Sequence, residues 1–185
     1  MDSSDFLLPS AFTAIDLKIG PQNEIFMVDL SHFSSGKLRW QKTFNLQPLF
    51  HPSPRLMSVL GLDADTFSSD GSCNIDMMGE IIVLIENTPL VLHYCGNFFS
   101  VIQENFGLVF KQEPPDVTDL YEVMKQAYPG MPNYKIQTLC EHFGIPTAQE
   151  SSLLSRQIGE LAIIAEAIQR VDLESRFDWK EPTLL

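Results

Sequence analysis

The order in which strand-like and helix-like patterns follow one another constrains this fold more than any single residue. Alternating apolar residues predict three strands over 12–17, 24–32 and 37–46. A break at Gly20-Pro21 separates the first two strands, and the turn at 34–36 separates the last two. Consecutive strands joined by such short turns form an antiparallel meander. The first quarter of the chain therefore predicts one half of a sheet.

The rest of the chain predicts helices that alternate with short strands. Apolar residues at helical spacing predict helices over 54–60, 75–87, 97–106, 120–127, 136–143 and 153–171. Short apolar runs predict strands over 90–93 and 109–111. A meander followed by helix–strand–helix units predicts an α/β fold of the ribonuclease-H-like type, a mixed sheet with parallel strands added to the meander and helices on its faces. We expect one domain over 11–171, an N-terminal extension over 1–10 and a C-terminal tail over 172–185.

Composition narrows the class of protein. The chain has 185 residues, of which 44% are hydrophobic, as expected for one soluble globular domain. No apolar run is long enough to span a bilayer, and residues 1–10 carry acids without a basic residue, unlike a secretory signal. We therefore expect a cytoplasmic protein that does not bind membranes. The cysteines Cys73, Cys95 and Cys140 are too widely spaced for a zinc site and are expected to be buried thiols.

The charge of the chain disfavours general nucleic-acid binding. The formal net charge is −12, which repels phosphate backbones unless basic residues cluster. Lys37, Arg39 and Lys42 form the densest basic group, and their near-alternate spacing predicts a solvated strand face rather than a phosphate site. An acidic nuclease stays possible, because bound metal ions offset carboxylates at a small active site.

Several short motifs occur in a characteristic order. The segment 14–20 is an apolar strand that carries Asp16 and Lys18 and ends at Gly20. The segment 90–98 runs from an apolar stretch through His93 to Phe98. Further along, Asp-Val-Thr-Asp-Leu at 116–120 precedes Pro-Gly at 129–130 and Leu-Cys-Glu-His-Phe-Gly-Ile at 139–145. Together these motifs resemble the DnaQ-like (DEDDh) 3′–5′ exonuclease family, which includes the proofreading epsilon subunit of bacterial DNA polymerase III. The resemblance covers roughly residues 11–170.

The resemblance implies a site whose chemistry can be checked position by position. Family members hydrolyse the 3′-terminal phosphodiester with two divalent ions held by four carboxylates, and a histidine acts as general base. Asp16 retains the first carboxylate, and Glu160 is similar to the last one. The three other positions are incompatible with that chemistry: Lys18 replaces a glutamate, Phe98 an aspartate and Ser155 the histidine. We therefore expect no intact catalytic set and no cofactor, with Mg²⁺ or Mn²⁺ only if Asp16 and Glu160 keep a residual site.

Structural roles compete with functional ones for these residues. The ammonium of Lys18 either points to solvent or lies between Asp16 and Glu160, where it replaces the positive charge of the metals. Neither His32 nor His51 is expected to serve as an alternative base. We expect core filling for Phe98, a position at the core edge for His93, a helix surface for His142 and helix capping for Asp119.

Three functions are consistent with the sequence. The first is a degenerate, non-catalytic member of the exonuclease fold that acts as a binding module in DNA replication or repair, with a protein partner favoured over a nucleic-acid end. The second is an active, divergent metal-dependent 3′–5′ exonuclease on single-stranded nucleic acid, with one metal held by Asp16, Glu160 and either Asn97 or Glu80. The third is a scaffold subunit that dimerises through exposed apolar surface.

Overall fold

The computed structural model describes residues 8–20, 22–48, 52–62, 74–94, 96, 98–106, 116–147 and 154–176. The strand expected at 109–111 lies outside these ranges, as do Cys73, Cys95, Asn97 and His51. None of the helices in the described ranges is long and apolar enough to cross a membrane.

The described strands form one five-stranded mixed sheet. Strands β1 (Ala11–Ile19), β2 (Ile25–Ser34) and β3 (Lys37–Asn45) are antiparallel neighbours, which confirms the meander. Strands β4 (Leu90–Leu92) and β5 (Val117–Asp119) extend the sheet on the other side of β1, each parallel to its neighbour. The strand order is β3-β2-β1-β4-β5. This arrangement, flanked by helices, confirms the predicted ribonuclease-H-like fold class.

Six helices lie at or near the predicted positions, and their ends follow local sequence signals. They are α1 (Pro54–Leu60), α2 (Asn74–Ile85), α3 (Phe98–Phe106), α4 (Leu120–Ala127), α5 (Ile136–Phe143) and α6 (Leu154–Arg176). The hydroxyl of Ser53 accepts a hydrogen bond from the Leu56 N–H and caps α1. Helices α1 and α5 end at Gly61 and Gly144, whose φ angles of 67° and 70° are accessible to glycine without steric cost.

The fifth strand was not predicted where it occurs. Residues 117–119 were expected only to precede and cap a helix, yet they pair with β4 in the register Leu90↔Val117. A three-residue strand is too short to show a period of two, so only the neighbouring strand reveals it. Asp119 ends β5 and also caps α4, since its carboxylate accepts a hydrogen bond from the Tyr121 N–H at 2.9 Å. Its predicted capping role is thus confirmed.

The alternation of β1 divides the core into two layers. Phe12 and Ala14 pack against α4, α5 and α6, whereas Ile15 packs against α2 and α3 on the other face. A third, smaller cluster places α1 against Phe26 and Met27 of β2. Asp16 and Lys18 continue the series of Phe12 and Ala14, because side chains two residues apart share a face of a strand. The α6 face therefore carries the candidate site.

Two described segments extend beyond the expected domain bounds of 11–171. Leu8, assigned to the N-terminal extension, is buried in the cluster that α6 covers. Helix α6 continues to Arg176, beyond the boundary predicted at 171. An apolar leucine next to the first strand gains more from burial than from exposure, and a helix without a Gly or Pro stop signal continues past its apolar stripe.

Helix α6 lies unusually close to β2 at one glycine. A Cβ atom added to Gly159 would lie 2.1 Å from Cε2 of Phe33, whose ring stacks on Phe12 at a centroid distance of 5.3 Å. Ser155 and Ala162, on the same side of the helix, are also small and buried. Because these residues are small, the backbone of α6 lies close to the sheet. Ser155, at the start of the helix, is the first polar residue of the candidate site.

We expect Gly159→Ala to lower the free energy of unfolding by about 1–3 kcal/mol, because the new methyl group overlaps the fixed ring of Phe33. Urea unfolding measures the change. The matched control is Gly79→Ala in α2, where an added Cβ meets nothing within 4 Å. This control should be neutral or stabilising by up to about 1 kcal/mol, since alanine favours helix over glycine. Equal effects at the two glycines would contradict the close approach of α6.

Candidate functional site

An ion pair joins the two charged residues of segment 14–20, Asp16 and Lys18. The Nζ of Lys18 lies 3.2 Å from Oδ2 of Asp16, and the two side chains are only 14% and 22% exposed. Oδ2 of Asp16 is buried and accepts no directed hydrogen bond from a described residue, so its contact with the ammonium is mainly electrostatic. Among the described residues, Asp16 supplies the only carboxylate within ion-pair distance of Lys18.

A second carboxylate lies directly across the strand pair from Asp16. Asp29 is the Cα partner of Asp16 in the β1–β2 register, and opposite residues of an antiparallel pair share one face. Asp29 is fully buried. Its Oδ1 accepts hydrogen bonds from the Thr43 hydroxyl at 2.9 Å and from the Gln41 amide at 3.4 Å. The side chain is therefore held by β3 on one side.

Asp29 also holds the first turn of α6. Its Oδ2 accepts a hydrogen bond at 3.2 Å from the backbone N–H of Ser155, the second residue of that helix. The first four N–H groups of a helix have no partner within the helix, and a negative charge there is favoured by the helix dipole. The Ser155 hydroxyl completes the contact at 2.7 Å from the hydroxyl of Ser31. The sheet thus caps and positions α6 through a buried carboxylate.

Burial dominates the protonation behaviour of Asp29. Loss of solvent raises the pKa of this carboxyl above its ordinary value of 3.8, and the hydrogen bonds from Ser155, Thr43 and Gln41 offset only part of the rise. The protonated form is therefore favoured more in the folded chain than in the unfolded chain. An ionised Asp29 costs folding free energy at neutral pH, although its donors are well placed.

Glu160 and Ser155 have structural partners, and Phe98 lies in the core. Glu160 pairs with Arg156 on its own helix at 2.8 Å. Lys18 therefore contacts Asp16, as one prediction had it, but does not pair with Glu160. The hydroxyl of Ser155 is occupied by Ser31. Phe98 is 3% exposed and packs in the cluster under α2 and α3, which confirms its core role.

Other candidate residues lie apart from this pair. Glu80 forms an ion pair with Lys42, whose cross-strand partner Leu30 belongs to the opposite core layer. Glu80 thus lies on the other face of the sheet from Asp16 and does not complete a metal site with it. His32 lies on that opposite face as well, with Nδ1 3.1 Å from the Thr13 hydroxyl, and burial followed by the charge of Arg39 lowers its pKa.

The predictions for His93, His142 and Cys140 are confirmed. His93 is half-buried, with Nε2 2.7 Å from the carbonyl oxygen of Tyr134, as expected for the core edge. His142 is exposed on α5. Cys140 is a buried free thiol, and burial, together with the charges of Glu160 and Glu141, raises its pKa to about 11. At neutral pH this thiol stays protonated and unreactive.

The donor set around Asp16 does not fit a pair of divalent ions. Mg²⁺ requires several oxygen ligands in a nearly fixed geometry, and an ammonium lies against the one carboxylate that the first motif retains. Within the described ranges, no three His, Cys, Asp or Glu side chains come together as a metal-binding group. We therefore derive no chemical step through a metal ion.

Asp29 is the residue of this site that the sequence analysis missed. Its signal was present, because it is the single charged residue in the otherwise apolar run Ile-Phe-Met-Val-Asp-Leu of 25–30. A charge at such a position is costly unless it is hydrogen-bonded, and this cost could have marked the residue as a structural or functional anchor. Its partners come from β3 and α6, which the sequence could not bring together.

The fold and the face on which these residues lie define a class, the ribonuclease-H-like exonuclease folds. The chain is similar to E. coli exonuclease I in complex with a dT13 oligonucleotide, with a TM-score of 0.68 and 14% identity over 91% of this chain and 44% of that chain. A 3′-exonuclease that recognises the 3′ end of histone mRNA stem-loop gives a TM-score of 0.64 and 12% identity over 87% and 82% of the two chains. Exonuclease X in complex with 5′ overhanging duplex DNA gives 0.55 and 16% over 91% and 94%.

These similarities establish the fold. The chain spans less than half the length of the exonuclease I chains that it matches. No protein-family model matches the sequence, and no curated protein matches it. Function therefore has to be argued from the site itself.

Asp29→Asn should change the pH dependence of stability in one direction. The folded-state pKa of Asp29 is raised, so the native chain binds its proton more tightly than the unfolded chain. The Asp29 contribution to unfolding free energy is thus largest below pH 3.8 and falls as pH rises through the folded-state pKa. The free energy of unfolding of the unmodified chain, relative to that of Asp29→Asn, should fall as pH rises from 3.8 through the folded-state pKa. Above that pKa the difference should stay level. Urea unfolding of both proteins over a pH series tests this, and a constant difference contradicts it.

Proposed function

We propose that this chain is a degenerate, non-catalytic exonuclease-fold protein that acts by binding a protein partner, in the context of DNA replication or repair. In this proposal the chain is a member of the DnaQ-like family whose catalytic positions are altered. The fold is that of nucleases, whereas the loss of catalysis and the nature of the partner are argued from residues.

The ion pair between Lys18 and Asp16 carries the proposal. A divalent cation at Asp16 would have to displace an ammonium 3.2 Å away that is largely shielded from water. Like charges at such a distance repel strongly when solvent does not screen them. Lys18 also supplies positive charge beside Asp16, as a metal ion would do. The charge of Asp16 is thus already balanced by the protein itself.

The position that would supply the general base supports the same conclusion. Ser155 takes the place of the family histidine, and its hydroxyl lies 2.7 Å from that of Ser31, with no exposed surface. A serine hydroxyl is not a base at neutral pH unless a stronger base accepts its proton. Its hydrogen bonds instead fasten α6 to β2. The residue has a structural task that leaves it away from any attacking water.

One observation favours the alternative of an active, divergent 3′–5′ exonuclease on single-stranded nucleic acid. Oδ2 of Asp16 accepts no hydrogen bond from a described residue and is held only by the ammonium of Lys18. A metal could use it if Lys18 swung away and Glu160 turned from Arg156. Incubation of a labelled single strand with purified protein and Mn²⁺ separates the two functions. We expect no shortening of the strand, and degradation that Asp16→Ala abolishes would establish the alternative.

A thermal-shift experiment tests the loss of metal binding directly. Millimolar Mg²⁺ or Mn²⁺ should leave the Tm of the unmodified chain unchanged, because only a ligand that binds the folded state raises Tm. Lys18→Glu should lower the free energy of unfolding by about 2 kcal/mol, since it places a third carboxylate beside Asp16 and Asp29. Mn²⁺ should restore part of that loss. A metal-dependent rise in the unmodified chain would sink the proposal.

Lys135→Glu is the matched control for this experiment. It makes the same change of charge at an exposed residue before α5, remote from Asp16 in sequence and element. We expect no metal-dependent rise in Tm for this variant. If Lys18→Glu behaved like the control in Mn²⁺, Lys18 would not be the residue that excludes the metal.

A further inference from the structure

Strand β3 is a long open edge of the sheet. It is the outermost strand of the described sheet beside β2, and its nine residues are far longer than the three of β5 at the other edge. Most of its side chains are exposed. An edge strand presents a row of backbone N–H and C=O groups that can pair with another chain.

The register shows which backbone groups point outward. The N–H of Leu46 donates to the carbonyl oxygen of Phe26 at 2.9 Å, so Leu46 faces β2. Inward and outward groups alternate along an antiparallel strand, which turns the backbone groups of Lys42 and Phe44 inward and those of Thr43 and Asn45 outward. No described residue extends the sheet beyond them. These outward groups form a ready edge for an added strand.

The charge of this edge is opposite to that of the whole molecule. Strand β3 carries Lys37, Arg39 and Lys42 and no acidic residue, whereas the chain has a net charge of −12. Lys42 is paired with Glu80 of α2, while Lys37 and Arg39 are exposed near the hairpin turn. An acidic strand beside β3 would meet favourable charges, and the remaining acidic surface would repel the same strand elsewhere.

The same charges argue against a second copy of this chain as the occupant. Two β3 strands side by side would bring two sets of three cations together, and two molecules of net charge −12 repel as they approach. Lysines on an edge strand commonly prevent this kind of self-pairing. The complementary occupant is therefore a different chain with acidic side chains.

We propose that β3 is a docking edge for an extended acidic segment of a partner protein, which adds to the sheet as a further strand beside Thr43 and Asn45. Backbone hydrogen bonds would provide attachment, and Lys37 and Arg39 would select acidic side chains. This surface deepens the proposed function by naming the kind of protein partner, and it does not depend on whether the cleft at Asp16 is catalytic. Because the metal experiments report on Asp16 alone, failure of one proposal is distinguishable from failure of the other.

Amide hydrogen exchange with a synthetic peptide tests the docking edge. The probe is a short peptide in which threonine and glutamate alternate, and its control has proline in place of every threonine at the same charge. At saturating probe, we expect the amides of Thr43 and Asn45 to exchange about tenfold more slowly. The inward amides of Lys42 and Phe44 serve as internal references. Protection by the proline peptide as well, or by neither peptide, would overturn strand addition.

Charge variants test the selectivity of the edge. Lys37→Glu combined with Arg39→Glu should weaken binding of the threonine–glutamate peptide at least about tenfold, because attractive cross-strand pairs become repulsive. The matched control is Arg55→Glu combined with Lys135→Glu, two exposed cations outside β3, which should change Kd by less than about twofold. Equal weakening by the two pairs would overturn the edge as the site. If light scattering showed a dimer that the double variant of Lys37 and Arg39 dissociates, the occupant of the edge would be a second copy of the chain. That result would overturn an acidic partner protein as the occupant.

Discussion

The contact between Asp29 and the start of α6 determines how the two halves of this fold meet. Strand β2 belongs to the local meander, whereas α6 comes last in the chain, 126 residues away at this hydrogen bond. The buried carboxylate accepts the Ser155 N–H and is itself held by Thr43 of β3. Small residues on the same helix face, above all Gly159 against Phe33, allow the close approach that this hydrogen bond needs. Without that contact, the described residues would hold α6 over the sheet through the Ser31–Ser155 contact and apolar packing.

The same anchor belongs to a group of polar contacts on the α6 face of the sheet. Three strands and one helix converge on this face, and each contributes a polar group that contacts another polar group. Asp29 binds donors from β3 and α6, and Asp16 faces Lys18 of its own strand. Hydrogen bonds and ion pairs that satisfy one another in a site screened from water are costly to separate. The contacts of Asp29 and Ser155 therefore fasten α6 to the meander.

The sequence predicted the meander, the helices and the fold class because those depend on local periodicity and on short turns. The family resemblance of segment 14–20 pointed to Asp16 and Lys18, and their spacing by two places both on one face of a strand. The sequence did not reveal Asp29 as a member of the site, nor the pairing of Glu160 with Arg156, because rotamers and cross-strand partners depend on register. The short strand β5 was missed for a similar reason, as three residues acquire strand geometry only from the neighbouring β4.

The chain's own order of residues determined which elements form and which side chains are chemically able to bind a metal. Its resemblance to the DnaQ-like family predicted that Lys18 and Ser155 stand where that family has a carboxylate and a base. Only the tertiary structure decided that the lysine faces Asp16 across 3.2 Å, that Asp29 lies opposite the same carboxylate, and that β3 remains an open edge. The physical reason is that ion pairing, burial and strand order depend on distances between segments remote in sequence, which no local pattern encodes.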